Sequence, residues 1–95
     1  MNKYFKLGKI IITEKACEFL WRISISMALY KYIRCNWGIV NDNDKRQNDY
    51  AVKIGRNKIF ACYRTLMGRK FWIVTENSVT TISLPEENKS GYTRK

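Results

Sequence analysis

Asp42, Asp44 and Asp49 are the densest group of acids in the chain, and three carboxylates that close in sequence could hold a divalent ion. Their spacing is not that of a calcium loop and no distal Glu follows, so helix capping and loop solvation is the simpler reading. Glu86 and Glu87 form an acidic pair, but adjacent side chains seldom converge on one substrate atom, and surface solubility is favoured. No histidine occurs, which removes a His general base, Ser–His and Cys–His nucleophile pairs, and zinc sites with His ligands. Cys17, Cys35 and Cys62 are odd in number and far apart, so neither a CxxC motif nor a complete disulfide framework exists, and a reduced, cytoplasmic setting is expected. The glycines stand singly, and no phosphate-cradling loop is present. These residue types point to a protein that is not an enzyme: no catalytic residue, no cofactor and no metal site are expected.

The residues best suited to contact are aromatic and cationic. Tyr63 and Trp72, flanked by Lys58, Arg64, Arg69 and Lys70, could stack bases on an open sheet face while the cations hold phosphates. The alternative is that both rings form a second small core beneath the N-terminal strand or a helix. Arg22, Lys31 and Arg34 could continue a cationic stripe along the helices, or be ordinary solvated side chains. Trp37 beside Gly38 reads as a plug between helix and sheet, with its indole N–H used in the polar loop.

The charge is +10, from 18 basic and 8 acidic residues, and it is spread along the chain rather than gathered in one tail. A field of that sign raises encounter rates with polyanions or acidic protein surfaces, and it is the wrong sign for a mimic of DNA.

The elements that must position these residues can be read from periodicity. Tyr4 to Thr13 reads as a strand, with Ile10, Ile11 and Ile12 supplying β-branched bulk. Lys3, Lys6, Lys9, Glu14 and Lys15 interrupt each early apolar run, which does not read as a signal peptide. Glu14 opens a helical stretch in which Ala16, Phe19, Leu20 and Ile23 mark one stripe and Ile25, Leu29 and Tyr32 nearly the opposite one. A break at Ser24–Ser26, with a serine capping a second helix whose stripe is Leu29, Tyr30 and Ile33, explains the jump; a single helix buried on two sides is the alternative. A third helix is expected from Lys45 to Ile54, announced by Asp44 and Gln47 as a capping box, facing inward through Gln47, Tyr50, Ala51 and Ile54, and closed by Gly55.

From Lys58 the period is two. Strands are expected at Lys58–Thr65, Lys70–Glu76 and Val79–Leu84, the last two joined by the Asn77–Ser78 turn. That turn pairs Glu76 with Val79, so Ile73 faces Ile82 and Phe71 faces Leu84. Pairing Thr65 with Lys70 would put Phe60 and Cys62 on the same inner face and set Tyr63 beside Trp72 on the reverse.

FKLGKIIIT near the start, RCNWG followed by NDNDKRQND, ACYRT, and WIVTE followed by SVTTISLPEE resemble a family of short proteins of bacterial plasmids, phages and integrative elements. Its members typically read KLGQIVAT, GDWG, SAYRT, WIITEADRS and TTILLPEEY, and many carry the label "type I restriction endonuclease subunit M" although they are far too short to contain a methyltransferase. The resemblance spans roughly residues 5 to 87 and is most specific in the last third. It implies a mobile-element accessory protein and brings no active site with it. The chain departs from the pattern at Asn36, which stands where an Asp usually precedes Trp-Gly, at the Ser-Ile-Ser of residues 24–26, and in its basic surface.

The expected architecture is α+β, an N-terminal strand, two or three short helices and a C-terminal three-stranded antiparallel meander, with helices on one sheet face. Residues 1–87 are expected to form one domain. Glu86 to Lys95 is expected to fray, with 88–95 as a flexible basic tail. The function expected is non-enzymatic inhibition of a host defence protein or ribonucleoprotein complex, of the anti-CRISPR or antirestriction type, with no membrane partner. Direct binding of DNA or RNA is the alternative.

Overall fold

The computed structural model describes residues 7–55 and 58–88. The chain runs β1 (Lys9–Ile12), α1 (Glu14–Phe19), α2 (Arg22–Ile33), α3 (Asp42–Ile54), β2 (Ile59–Arg64), β3 (Lys70–Glu76) and β4 (Val79–Ser83), and ends in a 3₁₀ turn at Pro85–Asn88. The class is α+β, with the helices layered on a four-stranded mixed sheet of order β1-β4-β3-β2. β2, β3 and β4 form the antiparallel meander, while β1 lies parallel to β4 from Lys9↔Val79 to Ile12↔Ile82. Of the strand expected at Tyr4–Thr13, residues 4–6 lie outside the described residues.

The β3–β4 turn behaves as its two residues require. Asn77 and Ser78 take positive φ values of 54° and 65°, the backbone of a two-residue hairpin loop whose twist matches the strands. Glu76 therefore pairs with Val79 and Ile73 with Ile82, as expected.

The β2–β3 register differs from the expected one by a single residue. Arg64, not Thr65, pairs with Lys70, so Ala61 faces Ile73, Cys62 faces Trp72 and Tyr63 faces Phe71. The cause is the loop. Gly68 takes φ +89° and its N–H donates to the Thr65 carbonyl at 2.9 Å, while the Thr65 N–H donates to the Arg69 carbonyl at 2.9 Å. A three-residue loop closed by a left-handed glycine is thereby formed, and it shortens β2 at its end. A slip of one position turns every side chain over. Tyr63 joins Ile59, Ala61, Phe71, Ile73 and Ile82 on the helix-covered inner face. Phe60 and Cys62 move to the outer face beside Trp72, Val74 and Thr81.

The first helical stretch is broken, but not at the serines. Leu20 is extended (φ −112°, ψ 138°), and α2 begins at Arg22 and runs unbroken through Ser24–Ser26. Trp21 occupies the N-cap position without a side-chain cap bond, so this corner is held by packing: Ala16 and Leu20 are buried on one side of it and Ile25 on the other. The inward stripe of α2 is Ile25, Ala28 and Tyr32, and Tyr30 is exposed. For α3, Asn41 rather than Asp44 is the cap, its side chain accepting from the Asp44 N–H at 2.7 Å. Asn48 and Ala51 are its buried residues, in place of Gln47, Tyr50 and Ile54. Gly55 closes the helix in the left-handed conformation, as expected.

Several polar contacts fix these layers. Trp37 is buried, donates from Nε1 to Asp49 Oδ1 at 3.0 Å and meets the Tyr32 ring edge-on at 5.6 Å. The Tyr32 hydroxyl shares a 2.7 Å hydrogen bond with that of Thr75, which shares another of 2.7 Å with that of Thr80; the Thr80 hydroxyl donates to the Leu7 carbonyl at 2.6 Å. Each hydroxyl has one proton, so the chain runs from Tyr32 to Thr75 to Thr80 to Leu7, joining α2 to the start of β1 across the sheet.

The free side of β2 is covered without a fifth strand. Asn48 donates to the Phe60 carbonyl at 2.7 Å and accepts from the Phe60 N–H at 3.1 Å. One step along, the Ile39 N–H donates to the Cys62 carbonyl at 2.7 Å and the Cys62 N–H to the Trp37 carbonyl at 3.3 Å. Gly38 sits in that contact at φ +76°, where a Cβ would lie 2.1 Å from the Cys62 oxygen. Only glycine fits so close an approach.

The expected fraying at Glu86 and Glu87 is corrected by their contacts. The Glu87 carboxylate accepts from the Thr13 hydroxyl and the Leu84 N–H, each at 2.8 Å, and Glu86 pairs with Arg69 at 2.8 Å. Residues 89–95 lie outside the described residues.

Candidate functional site

Because α2 is continuous, Ser24, Met27, Ala28 and Lys31 stand at helical spacing on one face of it. They form one wall of a groove of about 300 Å³. The opposite wall is the end of β2 with its loop, through Arg64, Thr65 and Leu66, together with Gly38 and Ile39. Buried Tyr63 and Phe71 supply the floor. Among the described residues its charged lining is cationic, Lys31 on α2 and Arg64 at the end of β2, where the Arg64 side chain belongs to the outer face.

The rim is unusually apolar. Leu66 and Met67 at the hairpin tip are 100% and 91% exposed, and Met27 and Ile39 are exposed at the walls. Single exposed apolar side chains are ordinary, whereas a run of them beside a concave, apolar-floored groove marks a contact surface.

The residues expected to make contact are dispersed by the register. Tyr63 is withdrawn into the core at 5% exposure, donates to the Asn36 carbonyl at 2.6 Å and lies tilted against Phe71 at 6.0 Å. Burial pushes its phenol well above the ordinary tyrosine range. Tyr63 thus shapes the groove floor and presents no face for stacking. Trp72 is half-buried on the outer face, with its ring edge-on to Phe60 at 5.2 Å. Arg64 and Lys70 are exposed cross-strand partners next to the Cys62–Trp72 pair. Burial raises the Cys62 thiol's pKa, and the charges of Lys70 and Arg64 pull it down. Lys58, just before β2, is half-buried. Arg69 is engaged elsewhere: it pairs with Glu86 and lies over the Phe19 ring, 4.8 Å from its centroid.

Among the described residues no three His, Cys, Asp or Glu side chains gather as a metal-binding group, and no helix is long and apolar enough to cross a membrane. Asp49, one of the three acids that could have joined such a group, accepts from Trp37 instead. The groove-lining residues Met27, Ile39 and Leu66 were not singled out from sequence. One signal for them was available: Leu66 and Met67 occupy a turn, where polar residues are the rule.

No protein-family model, no curated protein and no solved structure matches the chain.

Proposed function

We propose that this chain is a non-enzymatic accessory protein of a mobile element, and that it inhibits a host defence machine, of the anti-CRISPR or antirestriction type, by occupying a surface of one of its proteins. The observation that carries the reading is the groove between α2 and the β2–β3 loop, with its apolar floor, exposed apolar rim and purely cationic charges. Such a surface binds by burying apolar area and selects by charge. The resemblance to short plasmid and phage proteins supports the biological setting, and the +10 charge directs the protein toward acidic surfaces rather than toward mimicry of nucleic acid. The test is recovery of tagged protein from a host carrying such systems, with and without nuclease treatment of the lysate. A defence component retained after nuclease, together with reduced interference, is expected; recovery of none, with interference unchanged, would sink the reading.

A second reading, direct binding of DNA or RNA, is favoured by one observation. Arg64 and Lys70 face each other across the sheet, where like charges are unfavourable, beside half-buried Trp72. An incoming phosphate would relieve that repulsion while Trp72 contributes stacking. This reading expects affinity for oligonucleotides that falls as salt rises and weakens on Trp72→Ala or on Arg64→Ala with Lys70→Ala. Absence of binding at low salt would remove it.

A further inference from the structure

We infer that the groove along α2 takes an acidic amphipathic helix of the partner protein, with apolar side chains seated between Met27 and Leu66 and carboxylates turned toward Lys31. The inference rests on the binding-protein reading above and specifies the partner's chemistry.

Shape argues for a helix. The wall from Ser24 to Lys31 is an unbroken helical face about 10 Å long at the usual rise per residue, enough for two turns of a helix laid alongside. An extended strand would need free backbone groups on the neighbouring sheet edge. At that edge the Phe60 groups are held by Asn48, and those of Cys62 by Trp37 and Ile39. What the groove offers is side chains, the surface used when an amphipathic helix docks. Methionine suits such a surface because its flexible thioether adapts to different apolar partners.

Charge argues for an acidic occupant from outside the chain. Both charged lining residues are cations. A second copy brings +10, and every charged residue in segments 1–6, 56–57 and 89–95 is Lys or Arg. Repulsion therefore disfavours self-occupancy, whereas glutamates and aspartates on a partner helix gain beside Lys31 and from the net positive charge of the chain.

The experiment uses the full chain labelled at the methionine methyl groups, and two synthetic amphipathic peptides with leucines along one helical face. One peptide carries glutamates on its remaining faces and the other lysines. Saturable binding of the glutamate peptide is expected, with shifts of the Met27 and Met67 signals and with affinity falling as salt rises. Met27→Glu or Leu66→Glu should weaken that binding by about tenfold or more while leaving the unfolding midpoint in place. Equal binding of the lysine peptide, unmoved Met27 and Met67 signals, or unchanged affinity in both variants would overturn the inference. The two readings fail separately. Capture of a defence protein equally by wild-type and Met27→Glu chains would refute the groove and leave the inhibitor reading standing. Peptide binding in the groove without any effect on defence would do the reverse.

Discussion

Asn48 holds Phe60 through both of the latter's backbone groups, accepting from its N–H at 3.1 Å and donating to its carbonyl at 2.7 Å. One amide side chain on α3 thus stands in for a neighbouring strand. Both ends of the contact are buried, so its loss strands two polar backbone groups at once.

Asn48→Ala should therefore destabilise the protein by about 2–6 kcal/mol, at about 1–3 kcal/mol for each buried group left without a partner. Urea unfolding measures the loss, and faster hydrogen exchange at the Phe60 amide should accompany it. A change below about 0.5 kcal/mol, the range of ordinary surface substitutions, would show that water satisfies the edge as well as Asn48 does.

Gly38→Ala should be among the most damaging small substitutions. The new methyl would lie 2.1 Å from the Cys62 carbonyl oxygen and 2.8 Å from the Tyr63 ring, on a backbone at φ +76°. The left-handed conformation alone costs about 1–2 kcal/mol, and displacing the Trp37–Ile39 segment adds the loss of its bonds to Cys62. Thermal unfolding checks this, and a wild-type midpoint would contradict the close approach.

Leu66→Ser and Met67→Ser should separate stability from function. Both side chains are almost wholly in solvent, so each change should move stability by no more than about 0.5 kcal/mol. Partner capture should nonetheless fall. Retained capture in the double variant would remove the hairpin tip from the contact surface.

Alkaline conditions should unfold the protein progressively. Burial raises the phenols of Tyr32 and Tyr63 well above their ordinary value, near 10 in an unfolded chain, where about 10 is the reference for tyrosine. Above that pH the unfolded chain releases these protons and the folded one keeps them, so stability is complete below about pH 10 and declines as pH rises, by at most about 1.4 kcal/mol per pH unit for each phenol. Urea midpoints at several alkaline pH values would give the slope, and Tyr63→Phe should flatten it by about one proton's worth. An unaltered slope in that variant would mean that Tyr63 titrates as if exposed.

What could be read in advance depended on how local the cause was. The Asn77–Ser78 turn admits one register, and Glu76↔Val79 followed from it. The Thr65–Arg69 loop admits two, and the left-handed Gly68 decides between them. β2 gave no help, because Ile59 through Tyr63 are buried on both faces and show no alternation. The break before α2 was hidden for a related reason. Ser24 and Ser26 carry cap chemistry but lie inside the helix, whereas the true corner at Leu20 and Trp21 is set by packing. The contact residues followed the same division. Arg64, Lys70 and Trp72 stayed together because they share the outer face, and Tyr63 was lost to the core by one step of register. The groove needs α2 and the hairpin end brought together, an encounter that neither segment records alone. β1's parallel pairing with β4 likewise joins opposite ends of the chain.

The sealed flank of β2 also limits how molecules of this kind can aggregate. Fibrillar growth by strand addition requires two available flanks per molecule, one to accept and one to extend. With β2 sealed by Asn48 and the Trp37–Ile39 segment, β1 is the sole remaining strand at a margin of the described sheet. Sheet-to-sheet joining through that margin terminates at a pair, so the exposed isoleucines of β1 can be tolerated without opening a route to endless polymers.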